Sequence, residues 1–172
     1  MTDTTGDRHG SAVVTLPSDL EILITREFDA PAELVFDAWT KPELVRRWWA
    51  GDRGVVTDAQ IDLRIGGRWR WVMTANGGFE VAFNGEYREI DRPHRLVRTE
   101  VFELFPDAEA VGTLTFEESA GVTTLTILAH YPSQEHRDAA LASGMEGGLQ
   151  TSLDALEELI RSPAETGGAG RP

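Results

Sequence analysis

Tryptophan is the residue type in this chain with the most chemistry to offer, and that chemistry is recognition. Trp48 and Trp49 sit side by side in KPELVRRWWA, and Trp69 and Trp71 alternate in RWRWVM. An indole gives a broad apolar face to an aromatic or aliphatic ligand and one N–H as a directional donor. Gathered on one wall, four indoles would line a binding cavity, because such cavities are built from apolar and aromatic side chains with few polar groups. The same four fit an ordinary core equally well. Met73, Phe83 and Met145 extend the candidate set with less weight.

Residues for bond making are missing. There is no G-x-S-x-G nucleophile elbow, no phosphate-binding or dinucleotide glycine pattern and no H-E-x-x-H. His9, His94, His130 and His136 show no metal-ligand spacing, so neither a metal nor a cofactor is expected. His130 falls on the face of its strand opposite Leu125, Ile127 and Ala129 and reads as a surface histidine. Carboxylates are plentiful, but none is singled out as a general acid or base. Arg98 and Glu100 share one face of a strand, as a pocket pair or as an outer-sheet ion pair. The second is commoner, because buried charge is costly.

Composition narrows the function further. A chain of 172 residues, 41% hydrophobic, supports one domain with a sizeable core. Its 29 acidic and 16 basic residues give a formal charge of -13, which repels a polyphosphate backbone, so no nucleic acid partner is expected. No stretch approaches the ~18 apolar residues that cross a bilayer, and MTDTTGDRHG lacks the apolar core of a signal peptide. No membrane partner is expected either. The absence of cysteine fits a reducing cytoplasm.

Several elements must position these side chains. ILITREF (22–28) alternates as a strand. Pro31 suits a first helical turn, and Thr40 to Glu43 has the spacing of a capping box that would start a second short helix. Beyond Gly51, short alternating runs separated by Gly66-Gly67, Asn76-Gly77-Gly78, Asp91-Arg92-Pro93 and Ser119-Ala120-Gly121 predict sequential hairpins and an antiparallel sheet. Period-2 alternation puts Trp69, Trp71 and Met73 on one inward face, and groups Phe79, Val81, Phe83 and Tyr87 as a second set. Leu114 with Phe116, and Leu125, Ile127, Ala129 and Tyr131, form two more. Ser133 is placed to cap one long helix reaching Arg161, with an apolar stripe of Leu141, Met145, Leu149, Leu153, Leu156 and Ile160. Gly144, Gly147 and Gly148 interrupt it, bending the helix or leaving room over the sheet.

In their order and spacing, REFDAPAELVFDAWTKPELVRRWW, DLRIGGRWRWVM, NGEYREIDRPHRLVRTE, LTFEE with TTLTILAHY, and GMEGGLQTSLDALEEL resemble one family. It is the helix-grip superfamily of START-related and polyketide-cyclase-like domains (SRPBCC), in its bacterial branch named for the activator of the ninety-kilodalton heat-shock protein ATPase. The resemblance covers nearly all of residues 20–160. It implies an α+β helix-grip fold: a curved antiparallel β-sheet wrapped around a long C-terminal α-helix, with two short helices after the first strand. It also implies a cavity between sheet and helix, but no single activity. The family often carries an aromatic residue after the glycine of its GM-x-x-G pattern, where this chain has Leu149.

The expected organisation is a mobile segment 1–17, a ligand-binding domain 18–161 and a mobile tail 162–172. The expected role is cytoplasmic binding, carriage or sequestration of a small hydrophobic or aromatic molecule, by a weak homodimer. Trp48, Trp49, Trp69, Trp71, Met73, Phe83, Tyr87, Met145 and Leu149 are its expected contacts, and Gly148 is expected to open onto the cavity. A cyclase-like or hydrolytic enzyme in the same cavity and a co-chaperone-like ATPase activator are the alternatives.

Overall fold

Eight alternating segments pair into one antiparallel sheet in the computed structural model, which describes residues 11–161. In chain order they are β1 (Val13–Thr15), β2 (Glu21–Phe28), β3 (Gly54–Ile61), β4 (Arg68–Ala75), β5 (Glu80–Asp91), β6 (Arg95–Phe102), β7 (Ala110–Ser119) and β8 (Val122–His130). Their spatial order is β1-β2-β8-β7-β6-β5-β4-β3. Strands β3 to β8 are thus consecutive hairpins, as the turn residues require, and the early β2 closes onto β8. The helices are α1 (Ala32–Thr40), α2 (Pro42–Trp48), α3 (Gln134–Ala142) and α4 (Met145–Arg161). This is the expected helix-grip arrangement.

The concave face carries the core. Ile22, Ile24 and Phe28 of β2, Trp69, Trp71 and Met73 of β4, Leu114 and Phe116 of β7 and Leu125 of β8 are buried there with Leu153 and Leu156 of α4. Three polar contacts pin α4. Arg26 of β2 bonds Asp154 at 2.8 Å and Glu157 at 2.5 Å. Gln150 exchanges two hydrogen bonds with the Ala12 backbone. The Ser152 hydroxyl donates to the Trp49 carbonyl at 2.5 Å.

Five expectations are corrected. A strand, β1, precedes the expected first one and pairs with β2, so the ordered fold begins before residue 18. Residues 1–10 and 162–172, also expected to be mobile, lie outside the described residues. The capping box does not form: Thr40 is the last residue of α1, and its hydroxyl donates back to the Phe36 carbonyl at 2.9 Å. A threonine kept in helical backbone makes this i−4 bond, and Lys41 is left as the N-cap of α2, with no side-chain capping bond.

The long helix is two. Ser133 caps α3 as expected, accepting from the His136 N–H at 3.1 Å. Gly144, with φ +84°, then terminates it in the left-handed conformation that glycine adopts without strain. Phe79 belongs to the β4–β5 turn, where it is 59% exposed, and leaves the inward set. Gly148 does not open onto free space: a Cβ there would lie 2.6 Å from the Arg53 guanidinium carbon. No helix among the described residues is long and apolar enough to cross a membrane.

Candidate functional site on the concave face

Trp71 is the hub of the aromatic wall. Trp69, Trp49, Trp39 and Trp48 lie 5.1, 5.6, 6.0 and 6.1 Å from it, ring to ring. Most of these contacts are edge-to-face, which sets the positive edge of one ring on the negative face of the next. Trp48 spends its N–H on the Ala38 carbonyl at 2.8 Å, and Trp69 spends its own on Thr99 at 3.1 Å. Gly85, directly across from Trp69, permits the second bond. A Cβ there would overlap the Thr99 carbonyl and come 2.6 Å from the Trp69 Nε1.

Into this wall β6 inserts a charge. Arg98 is 4% exposed, and its guanidinium carbon sits 3.8 Å from the Trp69 ring, 4.7 Å from Trp71 and 5.5 Å from Trp39. The expectation that Arg98 and Glu100 form an outer-sheet pair is therefore corrected. Alternation along Leu96, Arg98, Glu100 and Phe102 keeps both on the face of buried Leu96. Desolvating the cation is costly. Three indole faces offset part of that cost, because a cation–π contact contributes about 2 kcal/mol or more when water is excluded.

Glu100 is the second charge, its Oε1 3.8 Å from Arg98 Nη2. Burial raises its carboxyl above the ordinary range, and Arg98 only partly opposes the rise. Yet 41% of the Glu100 side chain is accessible. Both hold for a group lining a recess, hemmed in by protein but open on one side. Burial lowers Arg98, which still keeps its charge because arginine titrates so far above neutrality. Tyr87, the cross-strand neighbour of Arg98, is raised by burial. Tyr131 is raised by burial and then by the charge of Glu100.

Several inward apolar side chains are incompletely covered. Phe83, Phe102, Ile127, Tyr131, Leu141, Met145 and Leu149 stay only half-buried, and all but Phe102 pack against the core cluster. Phe83 stacks on Phe102 at 4.9 Å and meets Trp49 at 5.8 Å. Buried Gly112 faces inward at the middle of β7, opposite Arg98, and a Cβ there would meet no atom closer than 3.8 Å. Two other depressions lie elsewhere: one at the β3–β4 turn among Gln60, Asp62, Arg64 and Arg68, the other where Asp52 meets Asp154 and Glu158. Both are open and lined with charged side chains, and neither includes Arg98 or Glu100.

All nine expected contacts belong to or pack against one cluster. Trp48, Trp69, Trp71, Met73 and Tyr87 are enclosed, while Trp49, Phe83, Met145 and Leu149 keep accessible surface. Trp39 and Gly112 were missed, and nothing in their local sequence sets them apart. Arg98 and Glu100 were legible through their parity with Leu96. Among the described residues no group of His, Asp and Glu is placed to hold a metal.

A concave antiparallel sheet closed by a C-terminal helix, with an aromatic wall and inward ion pairs, defines a helix-grip domain. The chain belongs to the family described as "Activator of Hsp90 ATPase homolog 1-like protein", whose model matches residues 29–161. Solved structures agree. A protein from Rhodobacter sphaeroides superposes with a TM-score of 0.82 at 25% identity, over 88% of this chain and 99% of that one. One from Mycobacterium smegmatis gives 0.77 at 26%, over 87% and 98%. One from Staphylococcus epidermidis gives 0.74 at 28%, over 88% and 94%. No curated protein matches the chain.

Proposed function

We propose that this protein binds a small, largely apolar or aromatic molecule between the concave sheet and α4, as a carrier or sequestering protein. The family and fold support a ligand-binding or activator-like domain. The observation that favours ligand binding is that Trp49, Phe83, Met145 and Leu149 pack against the inward core cluster yet stay only half-buried. Apolar side chains on a concave face keep accessible surface where the helix does not close over the sheet, and a ligand gains by covering them. Native mass spectrometry of the freshly purified full chain, then a thermal-shift screen of apolar compounds, tests the reading. A bound mass, or a melting temperature that rises with ligand concentration, is expected. A screen with no stabilising compound and no bound mass rejects it.

One observation favours an enzyme as the second reading. Glu100, Arg98 and Tyr131 bring a carboxyl raised by burial, a cation and a phenol near one another. Such groups protonate or polarise a carbonyl when it is held in place. Turnover of a bound compound that disappears in Glu100→Gln would establish this reading over simple binding.

A further inference from the structure

We infer that the molecule held on the concave face carries an oxygen acceptor head group, anionic in its preferred form such as a carboxylate, which is received by Arg98 at the floor of the recess. This rests on the binding reading above and names the ligand class for the same site. It starts from a census of buried polar atoms. Trp39 Nε1, Trp71 Nε1, Arg98 Nη1 and the Tyr87 hydroxyl are buried without a hydrogen bond of good geometry among the described residues, although Arg98 and Tyr87 lie close enough to interact with each other. The two indoles and the guanidinium are donors only, and the hydroxyl has a donor to give. Buried polar groups in folded proteins are nearly always satisfied, so these four specify what completes them. The complement of a donor set is an acceptor.

Their placement makes one site of them. Arg98 lies over the rings of Trp71 and Trp39 and is the cross-strand neighbour of Tyr87. Trp48 and Trp69, whose N–H groups bond backbone carbonyls, leave no such demand. Among the described residues Glu100 is the one acidic group paired with Arg98, and at 3.8 Å it makes no hydrogen bond to it. An incoming carboxylate meets Glu100 on the accessible side and replaces it as the partner of the guanidinium. The formal charge of -13 does not oppose this, because surface charges beyond about 8 Å are largely screened at physiological salt.

Calorimetric titration of the full chain with sodium decanoate, decan-1-ol and decylamine separates head group from tail. Decanoate should bind at least about tenfold more tightly than either, as hydrogen bonds to charged groups dictate. Arg98→Gln should erase that preference. Glu100→Gln keeps the arginine and serves if Arg98→Gln does not fold. By removing the competing carboxylate it should tighten decanoate about tenfold relative to decan-1-ol. Equal affinity for the three probes, preference for the amine, or weaker or unchanged decanoate binding in Glu100→Gln overturns the inference while leaving apolar binding intact. Failure of all three probes to bind at millimolar concentration overturns both.

Discussion

The guanidinium of Arg98 sits over the indole of Trp69, 3.8 Å from its ring centre, while the N–H of that indole is committed to the Thr99 carbonyl on the strand that carries Arg98. The hydrogen bond fixes the ring, and the fixed ring presents its face to the cation. One residue thus anchors β4 to the backbone of β6 across Gly85 of β5 and makes a buried charge tolerable.

Trp69→Leu should therefore destabilise the fold by about 3 kcal/mol, through lost packing, a lost hydrogen bond and an exposed cation cost. Trp49→Leu should cost about 1 kcal/mol, because Trp49 is half-buried. Its effect on ligand affinity should be the larger of the two relative to its effect on stability. Urea denaturation and a binding isotherm on each variant check the contrast. Similar stability losses would show that Trp69 has no special anchoring role.

Two glycines separate close approach from open backbone. Gly85→Ala places a methyl against the rigid Thr99 carbonyl and the Trp69 ring, so it should destabilise by about 3 kcal/mol or more. Gly148→Ala meets only the end of the exposed, flexible Arg53, which can swing away. Removing a helical glycine then gains up to ~1 kcal/mol, a rise of about 2–4 °C in melting temperature. Thermal denaturation of both variants checks the pair, and loss of stability in Gly148→Ala would mean that Arg53 is held in place.

Alternation made much of this fold legible. Trp69, Trp71 and Met73 follow from RWRWVM, Leu125 and Ile127 from LTILAHY, and Ser133 from its place before an apolar stripe. Each is a local signal that tertiary packing reinforces. The misreadings came where two local rules compete. Thr40 has the spacing of a cap, but α1 runs through it and the i−4 bond prevails. Gly144 reads as a bend in one helix until its positive φ ends α3. Arg98 and Glu100 carry the parity of Leu96, but the general cost of buried charge argued for the outer face. What reverses it is the indole cluster, assembled from α1, α2 and β4, which no local window contains.

Glu100 should give stability a distinctive pH dependence. Burial raises its folded-state pKa above the unfolded value, which lies near 4.3. Its contribution is then fully present below the unfolded pKa and is lost as pH rises through the folded one. Glu103, lowered mainly by its hydrogen bond to Arg70, behaves oppositely, contributing above its unfolded pKa and losing that contribution in acid. It is present in both wild type and Glu100→Gln, so it cancels between them. The melting temperature of wild type minus that of Glu100→Gln should fall as pH is raised from about 4 towards neutrality. A difference that stays flat or rises would contradict a raised carboxyl at this position.

Gly112 offers the most direct test of where the ligand lies. Its inward position has no atom within 3.8 Å of a would-be Cβ, and glycine in a strand interior is disfavoured by about 0.5–1 kcal/mol relative to alanine. Gly112→Ala should accordingly be neutral or slightly stabilising. Gly112→Leu should remain folded while its side chain extends over the sheet towards Arg98, where a ligand head group would sit. The compound returned by the thermal screen should bind Gly112→Leu at least about tenfold more weakly, a loss of about 1.4 kcal/mol, with Gly112→Ala close to wild type. Circular dichroism confirms the fold and calorimetry reads the affinity. Unchanged binding in a folded Gly112→Leu would move the ligand off the concave face, whereas unfolding of Gly112→Ala would show that the glycine is there for packing and not for space.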